Sequence, residues 1–197
     1  MLSKREWQEI TFLTKAVYSN LPIPSQINCT RINTRHGLTA IFIEFKDYDL
    51  LLFRGTNSLV DWLTNLKMIF FVPKQLKDAL EFAKENIDPN RKTIISGHSL
   101  GGAIVQYVCN EIESKNFIGI TYNPAGVMHL VKPKFDFLLY NFITDRDLLN
   151  NITGKLPWNF FSHIGVEIVV EDKLSKSKLE SHSNFQVFMD YAEKTKE

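Results

Sequence analysis

The chain has 197 residues, 44% of them hydrophobic, with 23 lysines and arginines against 22 aspartates and glutamates. That length and apolar content suit one compact domain spanning residues 1–197, and the balanced charge leaves no basic surplus to gather the phosphates of a nucleic acid. Two cysteines, Cys29 and Cys109, are too few for a disulfide framework and offer no metal site.

Lys4, Arg5, Glu6 and Glu9 occupy the place where a signal peptide needs an apolar run. No stretch reaches the length of a membrane-spanning helix, so the expected location is the cytoplasm. Trp7, Ile10, Leu13, Thr14 and Val17 recur at helical spacing before Pro22 and Pro24, which predicts an opening helix that docks on the core. Residues 39–45 and 50–53 read as two strands joined by the polar turn 46–49. Leu76, Leu80, Ala83 and Ile87 mark one face of a helix that Asp88-Pro89-Asn90 ends.

A short buried strand is expected at 93–96, then a helix to about residue 113, in which Cys109 lies among Val105, Val108 and Ile112 as a buried thiol. Two further strands are read at 117–122 and 137–143. Residues 173–183 read as a polar, mobile loop. A final helix follows, with Ser183 and Gln186 as a capping box and Phe185, Phe188, Met189 and Ala192 as its buried stripe. Strands alternating with helices imply an α/β fold with a mainly parallel central sheet flanked by helices.

Between the strand at 93–96 and the next helix stands Gly97-His98-Ser99-Leu100-Gly101. A strand-to-helix turn of this kind lifts a serine hydroxyl clear of the backbone and aims the amide of the following residue at a developing oxyanion. Ser99 is therefore the expected nucleophile and the Leu100 amide one oxyanion donor. Glycines fit at 97, 101 and 102 because side chains there would meet the adjoining strand and helix. The pattern is short, and its strand and helix context gives it weight.

These residues resemble the class 3 lipase family, the fungal triacylglycerol lipases and their plant and bacterial relatives, whose fold is the α/β-hydrolase fold. The resemblance rests on two motifs in order: Phe53-Arg54-Gly55-Thr56 followed by Asp61-Trp62 and Asn65, and then Gly97-His98-Ser99-Leu100-Gly101-Gly102. It implies that Thr56, through its amide with help from its hydroxyl, is the second oxyanion donor. Arg54 and Asp61 are read as an ion pair holding that loop, and Trp62 as a packing residue. The stretch 65–74 departs from the family, which often has a longer lid and a His-Ser-Gly-Phe segment, and this argues against carrying over interfacial activation or long-chain triacylglycerol. Residues 68–72 read as core, with a shortened lid as the alternative.

Triad order in this fold is serine, acid, histidine. Asp145 and Asp147 both follow the strand at 137–143, and Asp147-Leu148-Leu149 resembles the family's acid segment, so Asp147 is preferred and Asp145 remains open. His182, just before the last helix, resembles the family's base. His163, in His163-Ile164-Gly165-Val166-Glu167, resembles a non-catalytic His-x-Gly-x-Glu segment and is read as structural, as are His98 and His129, with His98 pointing away from the base. The expected activity is hydrolysis of carboxylic esters of lipids through an acyl-enzyme, without metal or organic cofactor. Expected partners are a lipid or other acyl-ester substrate, with room for transient contact with a membrane surface, and not nucleic acid. A thioesterase on the same fold and a non-catalytic interaction module remain the alternatives.

Overall fold

The computed structural model of the chain describes residues 2–33, 36–54, 72–112, 114–128, 131–134, 137–149 and 162–194. In chain order the elements are α1 (Lys4–Tyr18), β1 (Cys29–Asn33), β2 (Thr39–Glu44), β3 (Asp49–Arg54), α2 (Val72–Asn86), β4 (Thr93–His98), α3 (Leu100–Glu111), β5 (Phe117–Tyr122), β6 (Leu138–Thr144), β7 (Val166–Val170), α4 (Lys178–Ser183) and α5 (Phe185–Lys194). The strands form one seven-stranded sheet in sequence order. β1, β2 and β3 pair antiparallel, and β3 through β7 pair parallel.

Strand alternation divides the core in two. Leu51, Phe53 and Ile95 point to the face covered by α2 and α3, where they join Leu76, Ala79 and Phe82 with Ile104, Val105 and Val108. Leu50, Leu52, Ile94, Ile120 and Tyr122 point to the other face and pack with Ile10, Leu13 and Val17 of α1 and Phe185 and Phe188 of α5. Covered on both sides, β3 and β4 carry nearly continuous runs of buried residues, as parallel strands with helices on each face must. Cys109 is buried within α3, and burial pushes its thiol up to about 12.

The opening helix docks as its spacing predicts, started by a capping box in which Ser3 Oγ accepts from the Glu6 amide and the Ser3 amide donates to Glu6 Oε2. Its two buried threonines find partners across the core, Thr14 Oγ1 at 2.8 Å from Ser96 Oγ and Thr11 Oγ1 at 2.7 Å from the Tyr122 hydroxyl. These bonds tie α1 to β4 and β5 just below the Gly97–Gly101 turn, and they satisfy groups whose burial would otherwise be costly.

Several elements differ from the sequence reading. β1 and β7 flank the sheet with mostly exposed residues, so neither carries the burial alternation that marks an inner strand. The supposed loop 173–183 contains α4, capped by Ser177 Oγ accepting from the Glu180 amide at 3.1 Å. The last helix has no Ser183–Gln186 box. The Gln186 amide donates instead to Asn184 Oδ1, and Ser183 Oγ turns back toward the carbonyls of α4. The buried stripe of α5 is Phe185, Val187, Phe188 and Ala192, with Met189 only half-buried. Among the described residues no helix is long and apolar enough to cross a membrane.

Candidate active site

Ser99 stands between the last residue of β4 and the first of α3 with φ 55° and ψ −122°, a conformation that an L-residue adopts only under constraint. The constraint is visible in its backbone bonds: Ser99 N donates to Tyr122 O, and Ser99 O accepts from the Ala103 and Ala125 amides, each at 3.1 Å. Glycine is required on either side of the turn. A Cβ on Gly97 would lie 2.5 Å from the carbonyl carbon and oxygen of Gly101, and one on Gly102 would lie 2.7 Å from Pro124 Cβ. Close approach of strand and helix therefore produces the sharp turn, and Ser99 retains 9% exposure at its tip. Leu100 opens α3, so its amide belongs to the first helical turn, whose N–H groups have no partner within the helix. Thr56, the other expected oxyanion donor, lies outside the described residues, as do Asp61, Trp62, Asn65, His129 and residues 68–71. Arg54 donates from Nη1 to Asn20 Oδ1 at 3.4 Å.

His182 lies inside α4, just before α5 begins at Phe185, and it is fully buried. Its Nδ1 donates to Asp147 Oδ1 at 2.5 Å, and Asp147 is 1% exposed in the turn after β6, its amide donating to Thr144 O at 3.0 Å. Asp145 is exposed and takes another part, its Oδ1 accepting from the Asp172 amide at 2.9 Å. With Nδ1 committed to the carboxylate, His182 Nε2 is the free ring nitrogen: it is buried and has no hydrogen-bond partner among the described residues. A neutral imidazole so oriented presents an unprotonated nitrogen able to accept a proton.

His98 does not point away from this pair. Its Nε2 donates to the His182 carbonyl at 2.6 Å, and the two rings lie 4.8 Å apart between centroids. The elbow turns the residue before Ser99 toward the α1–α5 face, where Tyr18 and Phe185 pack on the His98 ring with centroids 4.1 and 4.9 Å away. Burial, then the neighbouring His182, holds the His98 imidazole well below its ordinary value, outweighing the carbonyl bond that favours its cation. It is a neutral donor at neutral pH.

His163 bonds elsewhere, its Nε2 donating to Pro124 O at 2.9 Å and its Nδ1 lying 2.8 Å from Glu167 Oε1. The histidine bond is the main reason the Glu167 carboxyl lies below the usual range. The sequence reading missed Asn123, the residue after β5, whose carboxamide reaches both the end of β6 and the carbonyls of α4. Its signal was position: the C-terminal ends of parallel strands are where α/β sheets build sites.

Sheet order, flanking helices and the strained strand-to-helix serine define the α/β-hydrolase fold. Residues 14–124 match the Mbeg1-like family, and the chain belongs to that family. Among curated protein sequences nothing matches significantly. Among solved structures, the Rhizomucor miehei lipase propeptide complex superimposes with a TM-score of 0.59 at 16% identity, covering 93% of this chain and 76% of the other. The Lip2 lipase of Yarrowia lipolytica gives 0.60 at 13% identity, with 90% and 82% covered. A triacylglycerol lipase from Penicillium expansum gives 0.56 at 11%, with 85% and 79% covered. At these identities what is shared is the fold.

Proposed function

We propose that the chain is a serine hydrolase that cleaves carboxylic esters of lipids, related in mechanism to the class 3 lipases that its two motifs resemble. The observation that carries this reading is the buried Asp147–His182 bond, whose histidine carbonyl is held by His98, the residue before an elbow serine at positive φ. In the proposed mechanism His182 Nε2 takes the Ser99 proton as Oγ attacks the ester carbonyl. Asp147 holds the imidazole with Nε2 unprotonated and stabilises the cation that forms. The Leu100 amide at the start of α3 stabilises the oxyanion, with Thr56 as the second donor. Collapse of the tetrahedral adduct returns the proton to the leaving alcohol and leaves an acyl-Ser99. Water, deprotonated by the same nitrogen, then releases the acid.

The lipases that share the fold support a lipid-like acyl group, and the break in family pattern over 65–74 favours substrates other than long-chain triacylglycerol. The test is a panel of p-nitrophenyl esters of increasing chain length, phospholipids and acyl thioesters, run with wild type and Ser99→Ala. Ester turnover that requires Ser99 supports the reading. Turnover of thioesters alone would move the substrate class, and no turnover of any acyl substrate by folded protein would overturn it.

A further inference from the structure

Asn123 stands where the segments carrying Ser99, Asp147 and His182 meet. It follows Tyr122, whose carbonyl receives the Ser99 amide at 3.1 Å, and its own amide donates to Phe142 O of β6 at 2.8 Å. Its side chain is buried and fully used. Oδ1 accepts from the Thr144 amide at 2.8 Å and from Thr144 Oγ1 at 3.3 Å, while Nδ2 donates to Ser181 O at 3.2 Å and His182 O at 2.9 Å. The Thr144 amide can only donate, which fixes the orientation of the carboxamide. Ser181 Oγ donates to Thr144 Oγ1 at 3.0 Å, closing the link between β6 and α4. Thr144 in turn anchors the turn that presents Asp147, through the Asp147 amide on its carbonyl.

The backbone at Asn123 has φ 41°, in the left-handed region that glycine adopts freely and asparagine more readily than most other residues. The side chain therefore carries a conformational cost that its hydrogen bonds offset. No other side chain of this size meets both demands, because aspartate cannot donate to the α4 carbonyls and serine is too short to span the two segments.

We propose that Asn123 is a positioning residue: its carboxamide sets the spacing between the turn carrying Asp147 and the helix carrying His182, and so maintains the hydrogen bond between them. The role rests on the serine-hydrolase reading for its kinetic consequence, but the bond itself can be observed without turnover. Losing the link lets α4 shift relative to β6, and displacements of about 1 Å at a reacting group cost on the order of 10²-fold in rate.

The experiment uses Asn123→Gly, which keeps the backbone conformation while deleting the carboxamide, and Asn123→Asp, which keeps shape and acceptor but removes the donor to His182. Both are compared with wild type by thermal melting, ester kinetics, and the low-field proton resonance of His182 Nδ1, identified by its absence in His182→Gln. Expected are a folded Asn123→Gly protein, kcat lower by on the order of 10²-fold with KM nearly unchanged, and a low-field resonance that broadens or moves upfield. A purely structural residue would lower the melting temperature and leave the resonance and the kcat of the folded protein in place. Wild-type kcat and an unmoved resonance in either variant would overturn the role. If wild type hydrolyses no ester, the hydrolase reading fails, and the resonance alone still decides whether Asn123 holds the pair.

Discussion

His98 Nε2 donates to the backbone carbonyl of His182 at 2.6 Å, so the residue before the elbow serine grips the residue that pairs with Asp147. His98 is 2% exposed and its Nδ1 has no hydrogen-bond partner among the described residues, an arrangement that suits a neutral ring and penalises a cation.

The sign of the resulting pH dependence is fixed. With its folded value depressed below the ordinary 6.5, His98 contributes full stability above about pH 6.5. As pH falls from there the unfolded chain takes up a proton that the folded chain refuses, and stability drops by up to about 1.4 kcal/mol per pH unit until the depressed folded value is reached. His98→Phe keeps the ring packing on Tyr18 and Phe185 and removes the titration. The stability difference between wild type and His98→Phe, measured by urea unfolding from pH 8 to 5, should shrink steadily below pH 6.5. A difference independent of pH would show that His98 is not held neutral.

Asp147→Asn should lower kcat for ester hydrolysis by on the order of 10⁴-fold, because an amide does not enforce the tautomer that leaves Nε2 unprotonated. Asp145→Asn keeps an oxygen that can accept from the Asp172 amide and removes only a surface charge, so it should change turnover little. Equal losses in the two variants, with both proteins folded, would contradict the assignment of the acid.

His163→Ala removes the donor to the Pro124 carbonyl and the partner of Glu167, on a side chain only 5% exposed. The expected loss is about 1–3 kcal/mol of stability, with turnover per folded molecule close to wild type. Thermal melts paired with active-site titration separate the two effects, and a folded but inactive His163→Ala would move His163 into the chemistry.

The inner strands and large helices were legible because burial writes periodicity into sequence, as in residues 117–122, which form β5 to the residue. The elbow was legible for a different reason: Gly97 and Gly102 are demanded by contacts of 2.5 and 2.7 Å, so the steric requirement appears in the residue types themselves. Edge strands β1 and β7 were not, since residues such as Arg31 and Glu167 face solvent and leave no alternation. Neither was the grip of His98 and Asn123 on α4, which depends on backbone carbonyls of Ser181 and His182 that any residue type would supply. Asp147 and Asp145 stand two positions apart after one strand; the resemblance of Asp147-Leu148-Leu149 to the family's acid segment favours Asp147, and the turn after β6 is what brings that carboxylate to His182.

Whether Ser99 is a nucleophile activated by its neighbours is read most directly by covalent labelling with a fluorophosphonate, which needs no knowledge of the natural substrate. Folded wild type should give a single stoichiometric adduct that peptide mapping places on Ser99. Ser99→Ala should give none, and His182→Gln should label far more slowly than wild type. Folded wild-type protein that takes up no label, or a Ser99→Ala variant that labels at the wild-type rate, would show that Ser99 is not the activated nucleophile.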